Sequence, residues 1–475
     1  MSHQKFKQTR RAFLRGGLAT GTLGLANFSA HAEGGIVLAP QTGKALLRTE
    51  AGAQADVLAY GTTWPSPVLR VKQSQPFKAT ITNRLEQDTT VHWHGIRLPN
   101  AMDGVPNLTQ PPIPPGGIFT YAFTPPDAGT FWYHPHANSL EQMGRGLAGL
   151  LIVEEEIPQN FDRDIAWLLQ DWRLDDAGQI AGRFGSMMDA AMAGHVGNSV
   201  TINGAPPIDL AVRPNERIRL RLANASLARI YALNFSGLRP LIIATDGQPC
   251  EPHEPEDGVL LIGPAMRIDI VLDGIGKSGE AHAIRDTFYD SLSYTLCKLR
   301  LEGVPLRYAP LGPVAALPSN PLPMPNLTSA IRQEIILQGG MMGGGKFKGM
   351  GGMMGQAMPG MNGGPVWAIN GMSMTGEGAA KMEPAFSLQR GQTCLLAMRN
   401  DTAWAHTMHI HGFSTRLLSR NGKPVPHNQW HDTIYLGPAD RIECAFVADN
   451  PGDWMLHCHI TDHQMAGLMT LFRVT

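Results

Sequence analysis

Charge imbalance is almost missing from this chain of 475 residues: 39 Lys and Arg face 40 Asp and Glu, for a formal net charge of −1. A nucleic-acid binder needs a basic surface, so that class is excluded. Long apolar runs are missing too. No segment approaches the roughly 18 consecutive apolar residues that span a bilayer, which argues against a stable membrane anchor. Helical periodicity is weak throughout. Cysteine is scarce, at five residues, so a dense disulfide scaffold is not the organising device.

What is present is turn chemistry and short strands. Gly (53) and Pro (36) are abundant, and they separate Val/Ile/Leu/Thr-rich runs such as ATITNRL, VTINGAP, RIRLRLAN and RIDIVLDG. This texture predicts an all-β chain of sandwiches. An apolar content of 43% is ample for cores, and the length suits about three domains of roughly 100–200 residues.

The N-terminus reads as an export signal. TRRAFL (9–14) carries paired arginines, GGLATGTLGLANF (16–28) is short and mildly apolar, and SAHA (29–32) ends in an Ala30-x-Ala32 cleavage pattern. The pattern resembles a twin-arginine signal, cleaved after Ala32, which predicts passage through the twin-arginine export machinery to the periplasm. Its removal takes away Lys5, Lys7, Arg10, Arg11 and Arg15 and no acidic residue, leaving a more acidic protein.

An internal repeat organises the remainder. Around Asn83 the chain reads PFKATITNRLEQDTTVHWHG, and around Asn400 it reads QTCLLAMRNDTAWAHTMHIHG. In both, histidines stand nine and eleven residues after the asparagine: His92 and His94, then His409 and His411. Around Asn224 the same offsets fall on Leu233 and Phe235. A second block, GTFWYHPH (129–136), matches GDWMLHCH (452–459), with histidines five and seven residues after the glycine. The middle third again lacks them. The repeat predicts three homologous β-domains, the outer two bearing metal ligands and the middle one a spacer. The expected division is 33–157, 158–310 without ligands, a Pro-rich linker at 311–330, and 331–475.

Residues i and i+2 of a strand share a face. Each His-x-His therefore aims two imidazoles at one point, and four such pairs supply eight. A single pair is weak evidence; four pairs in two matched domains point to a metal cluster. Cys458, between His457 and His459, must face the other side of the strand. With His406 and His463 it can build a separate site of one thiolate and two imidazoles, a trigonal set typical of electron-transfer copper. Zinc also accepts these ligands, but it calls for no eight-imidazole cluster alongside.

HWHG (92–95), HPH (134–136), HTMHIHG (406–412) and HCHITDH (457–463) resemble the four copper motifs of multicopper oxidases, a family that includes laccases and bacterial cuprous oxidases. The resemblance implies three cupredoxin-like Greek-key β-sandwich domains and four copper ions. It assigns His406, Cys458 and His463 to type 1 copper, His92 and His409 to type 2, and His94, His134, His136, His411, His457 and His459 to the type 3 pair. The implied reaction oxidises a reductant at type 1 copper and reduces O2 to water at the trinuclear cluster. Asp462 and Asp103 match acids thought to feed protons, although Asp103 also suits a plain Asp-Gly turn. Asp432, in WHDTI, matches an acid near the type 1 histidine, where it would orient His406 or meet substrate; otherwise it caps a loop.

Two positions depart from the family pattern. Thr407 stands where proline is usual. Leu468 stands where the axial methionine of type 1 copper is usual, which predicts a more oxidising site; the alternative is that Met465 or Met469 swings in, although strand alternation points Met469 away. A Gly-dense insert, MMGGGKFKGMGGMMGQAMPGM (341–361), holds Met341, Met342, Met350, Met353, Met354, Met358 and Met361 and no acidic residue. Thioethers favour Cu(I), so the substrate is Cu(I), a phenol, or both, with a metal-indifferent flexible lid as the plain alternative for the insert. In GSMMDAAMAGH (185–195), Met188, Met192 and His195 suit one helical face, packed in the core. Cys250 and Cys297 fall in the middle domain and Cys394 and Cys444 in the third; disulfides and buried thiols both remain open. All eleven ligand positions are filled, ten His and one Cys, which favours an oxidase over a non-catalytic cupredoxin-repeat copper carrier. The expected protein is a soluble monomer.

Overall fold

A computed structural model describes residues 35–309, 311–341, 366–374 and 383–475. The export segment 1–32 and the insert beyond Met341 lie outside the described residues. The chain is all-β, as expected, and its strands form paired sheets in each third. The first third pairs a three-stranded sheet (Ile36–Leu38, Phe77–Thr82, Ile118–Phe123) with a four-stranded one (Leu69–Lys72, Gly149–Glu154, Gly129–His134, His92–His94). Six- and five-stranded sheets enclose the core of the middle third, and seven- and five-stranded sheets that of the last. Among the described residues, no helix is long and apolar enough to cross a membrane.

The repeat asparagines earn their place physically. Asn83, Asn224 and Asn400 are all buried. Each amide donates to two carbonyls across the turn that follows: Gln87 and Ile113, Arg229 and Ile262, Trp404 and Gly437. Each side-chain oxygen accepts the backbone N–H two residues on, at Leu85, Ser226 and Thr402. The asparagine backbone also makes the same reciprocal pair in all three thirds, with Gly116 and Gly117, Ala265 and Met266, and Ala439 and Asp440. The residue that donates to the asparagine carbonyl sits at positive φ each time: 75°, 72° and 65°. An amide that satisfies three buried backbone groups leaves them stranded when removed, at about 1–3 kcal/mol each. Leu233 and Phe235, at the offsets that carry histidines elsewhere, are packed inside the middle core.

Register then places the histidines. His92–His94 runs antiparallel to Gly129–His134 with His92 opposite His134. His406–Ile410 runs antiparallel to Gly452–Cys458 with His409 opposite His457 and Met408 opposite Cys458. Directly opposed residues share a face. So His409, His411, His457 and His459 point one way, while His406, Met408 and Cys458 point the other.

Candidate metal centre

On the second face, His406 and His463 turn their Nδ1 atoms to Cys458. The Sγ lies 3.6 Å from His406 Nδ1 and 3.9 Å from His463 Nδ1, and the two nitrogens are 3.1 Å apart. A planar trigonal ion with bonds of about 2.0 Å to nitrogen and about 2.3 Å to sulfur requires edges of about 3.7 and 3.5 Å, so the donor triangle fits a metal. The far nitrogens are already engaged: His406 Nε2 with the Thr402 hydroxyl at 2.9 Å and His463 Nε2 with the Met192 carbonyl at 2.8 Å. Those bonds leave Nδ1 as the lone-pair donor. All three residues are buried. Burial pushes the Cys458 thiol up to about 12 and the His463 imidazole down to about 3.

On the first face, eight imidazoles meet at the seam between the outer domains. Ligand atoms of His92, His94 and His134 lie mutually within 4.8 Å, as do those of His92, His409 and His411, and of His136, His411 and His457. His459 Nε2 approaches His134 Nε2 to 3.4 Å. Protein acceptors take the outer nitrogens: His92 Nδ1 donates to the Asp103 carbonyl at 2.8 Å, His134 Nδ1 to Pro135, His409 Nδ1 to the Asp432 carbonyl, and His457 Nδ1 to Cys458. His92 Nε2, His94 Nδ1, His136 Nε2 and His409 Nε2 are buried without any hydrogen-bond partner. Such atoms are costly unless something else binds them, and lone pairs converging from neutral rings suit a metal. Burial first, and neighbouring imidazoles second, hold His94, His134, His457 and His459 well below the ordinary imidazole range, and bring His136 down to about 3.

The three carboxylates separate. Asp103 is buried and bonds through Oδ2 to His411 Nδ1 at 2.8 Å and through Oδ1 to His92 Nδ1 at 3.2 Å, so it is more than a turn residue. Burial opposes its charge, but the two imidazoles outweigh that and hold it well below the usual carboxylate range. Asp462, in the helix Thr461–Met465, accepts the His195 N–H at 2.8 Å through Oδ2, and its Oδ1 is buried without a partner. Burial raises it to about 7. Asp432 does not sit beside His406, where the resemblance set it. Thr433–Leu436 runs antiparallel to His406–Ile410, with His406 opposite Leu436 and His409 opposite Thr433. The chain therefore delivers Asp432 to the cluster end, 3.2 Å from His94 Nε2.

Leu468 is buried in the apolar cluster that contains Cys458, Trp367 and Met408, and its carbonyl accepts the Cys458 N–H at 2.9 Å. Met469 packs away from the thiol with Met374 and Met455. The expected helical face at 188–195 does not form. The helix Met187–Ala191 is five residues long, Met188 is 57% exposed, and the chain then turns so that His195 pairs with Asp189 at 3.2 Å. Thr407 packs its methyl group against Gly263, where a Cβ would collide with it. Cys250, Cys297, Cys394 and Cys444 are free and buried, which decides that open point for thiols.

Sequence reasoning missed several residues that act across long separations. The Trp367 ring lies 4.9 Å from His406 and 4.5 Å from His463, and its Nε1–H donates to Ala190. Thr433 Oγ1 lies between His94 and His409, at 3.1 and 3.2 Å. Arg267 of the middle third bonds Asp432. No periodicity signals such partners; only the short run between the last two histidine motifs pointed to Asp432 at all.

Three family models, each described as a multicopper oxidase, match residues 42–157, 163–292 and 356–475. The chain is 28% identical over 526 aligned residues to Multicopper oxidase MmcO of Mycobacterium tuberculosis, with 98% of this chain and 96% of that one covered. It is 24% identical over 621 aligned residues to Copper resistance protein A of Escherichia coli, covering 98% and 99% of the two. The crystal structure of a multi-copper oxidase from Pseudomonas thermotolerans superposes with a TM-score of 0.79 at 31% identity, over 92% of this chain and 98% of that one.

Proposed function

The chain belongs to the multicopper oxidase family and is an oxidoreductase of that class, and on that premise we propose that it works with four copper ions and takes Cu(I) as its main reductant. The carrying observation is one strand, Gly452–Cys458, whose end turns Cys458 to a two-histidine triangle and the adjacent His457 to the eight-imidazole cluster. We assign His406, Cys458 and His463 to type 1 copper, His92 and His409 to type 2, and His94, His134, His136, His411, His457 and His459 to the type 3 pair. Copper held by these residues would supply one-electron oxidation of a reductant at the site of His406, Cys458 and His463, and four-electron reduction of O2 with four protons to two waters at the imidazole cluster.

The chain's own residues do the rest. Cys458 and His457 are joined by their shared peptide and again by the His457 Nδ1–H bond to the Cys458 carbonyl at 2.9 Å, two short routes between the sites. Asp103 holds His411 and His92 in their ligating tautomers. Asp462, poised to titrate near neutrality, is suited to pass protons. The filled ligand set weighs against a non-catalytic copper carrier.

Cu(I) is favoured over phenols by what covers His463. Its Nε2–H is already spent on Met192, and the preceding helix offers exposed Met187 and Met188. Met341 is tied to the same cover, its N–H to Ala191 and its carbonyl to Trp404. The remaining insert methionines, Met342 to Met361, lie outside the described residues; their thioethers are of the same Cu(I)-favouring chemistry. The name of the Escherichia coli relative, Copper resistance protein A, suits a role in copper homeostasis. We further read the chain as a periplasmic monomer, exported by its twin-arginine segment, with domains 33–157, 158–310 and 331–475. The test is steady-state oxidation of Cu(I) beside a substituted phenol, for the parent and for a deletion of 342–361. The deletion should depress Cu(I) oxidation and leave phenol oxidation equal or better; unchanged rates for both would sink the substrate reading. Copper-loaded protein should be blue and Cys458→Ser colourless.

A further inference from the structure

The middle third carries none of the ligands assigned above, yet one of its side chains lies directly behind the imidazole cluster. Arg267, at the start of the strand Arg267–Asp273, is fully buried. Its five N–H groups are all used. Nε donates to the Thr130 carbonyl at 3.2 Å, Nη1 to the Ala265 carbonyl at 3.1 Å and Asp432 Oδ1 at 2.7 Å, and Nη2 to the Asp246 carbonyl at 3.0 Å and Asp432 Oδ2. One guanidinium thus ties all three thirds together. The bidentate pair fixes both position and rotation of the carboxylate, which a point charge would not.

Asp432 Oδ1 in turn lies 3.2 Å from His94 Nε2 and 3.4 Å from His409 Nδ1, and accepts the Thr433 hydroxyl at 2.7 Å. The two imidazoles stack with centroids 3.7 Å apart. With these nitrogens facing acceptors, the opposite ones, His94 Nδ1 and His409 Nε2, keep free lone pairs; both are buried and unpartnered. The motif glycine after His94 serves this arrangement. A Cβ on Gly95, at φ 85°, would collide with Arg267 Nη2 and stand 2.6 Å from Asp432 Oδ2.

We propose that Arg267 is a positioning residue of the oxygen-reducing site: by holding Asp432 in place it sets the tautomers of His94 and His409 and so governs retention of type 2 copper. The inference rests on the copper assignment above. Partners behind a metal ligand typically change metal affinity by about 10–100-fold when lost. Copper-loaded parent, Arg267→Lys, Arg267→Gln and Asp432→Asn are dialysed against a graded chelator, then measured for copper per chain, the type 2 spin-resonance signal and blue absorbance. The Gln and Asn variants should release type 2 copper at about 10–100-fold lower chelator while blue absorbance holds, with the Lys variant between them and the parent. Retention of the parental type 2 signal in both the Gln and the isosteric Asn variant overturns the proposal. So does parallel loss of blue absorbance in both, which would mark a purely architectural role. A parent without any type 2 signal would sink the copper assignment, and this role with it.

Discussion

Removing copper should make the protein acid-labile between pH 7 and pH 5, above the ordinary carboxylate range. In the copper-free fold, burial brings His463 down to about 3, and burial with the neighbouring His92 does the same to His136. Both rings titrate near 6.5 when unfolded. A group whose folded pKa is depressed gives stability that is present above the unfolded value and lost as pH falls towards the folded one. Linkage gives a loss of about 1.9 kcal/mol per ring between pH 7 and pH 5. Asp462 works the other way. Burial raises it to about 7, so the folded state gains about 2.3 kcal/mol over the same interval.

These three groups leave a net loss of about 1.5 kcal/mol. That is a floor, because His94, His134, His406, His409, His411, His457 and His459 are all depressed in the same direction. Net stabilities are typically about 5–15 kcal/mol, so the shift is large enough to read. In copper-loaded protein a proton must displace the metal from each ring, and the curve should be nearly flat over the same range. Urea midpoints from tryptophan fluorescence, at pH 7 and pH 5 and constant salt, decide the matter for loaded and copper-free samples. Equal copper-free midpoints at the two pH values would refute the reasoning, as would an equal fall in both samples.

Leu468→Met conserves volume, so it should cost less than about 1.5 kcal/mol and lower the reduction potential of the blue copper by restoring a thioether; an unchanged potential in a poised optical titration would show that Leu468 is not the axial neighbour. Asp462→Asn should keep the blue colour and lower turnover at saturating reductant by on the order of 100-fold, the scale of a lost general acid, and parental turnover would remove Asp462 from the proton path. Gly95→Ala should break the Arg267–Asp432 pair, at about 3–5 kcal/mol for a severed buried ion pair, and lower both the melting temperature and the copper content. Parental stability in that variant would mean that Gly95 serves some other purpose.

How much of this was legible depends on the range of the interaction. Metal ligation demands particular side chains, and a strand repeats its face every second residue, so the His-x-His pairs and Cys458 carried both chemistry and direction. The three asparagines were legible as a repeat, although not as the amide staples they prove to be. The Met188–Met192–His195 face failed because a helix of five residues cannot sustain the period. Asp432 was legible as an acid of interest but was expected beside His406 rather than beside His94 and His409, since its location follows from the antiparallel register of Thr433–Leu436 on His406–Ile410. Arg267 lies 165 positions from Asp432 and left no local trace.

The expectation that the middle domain is only a spacer fails for a related reason. A cluster divided between two domains is defined by how accurately their facing strands are held, and among the described residues no sheet joins strands of the two outer domains. The middle domain replaces histidines with Leu233 and Phe235 in its own core, yet brings Gly247 so close to Gly129 that a Cβ there would collide with its backbone. From that tight contact Arg267 reaches both Thr130 and Asp432. From a domain without His-x-His pairs, Arg267 therefore braces the carboxylate that faces His94 and His409 of its neighbours. Its loss should disturb the cluster before it disturbs the Cys458 site, whose three donors all come from the last domain.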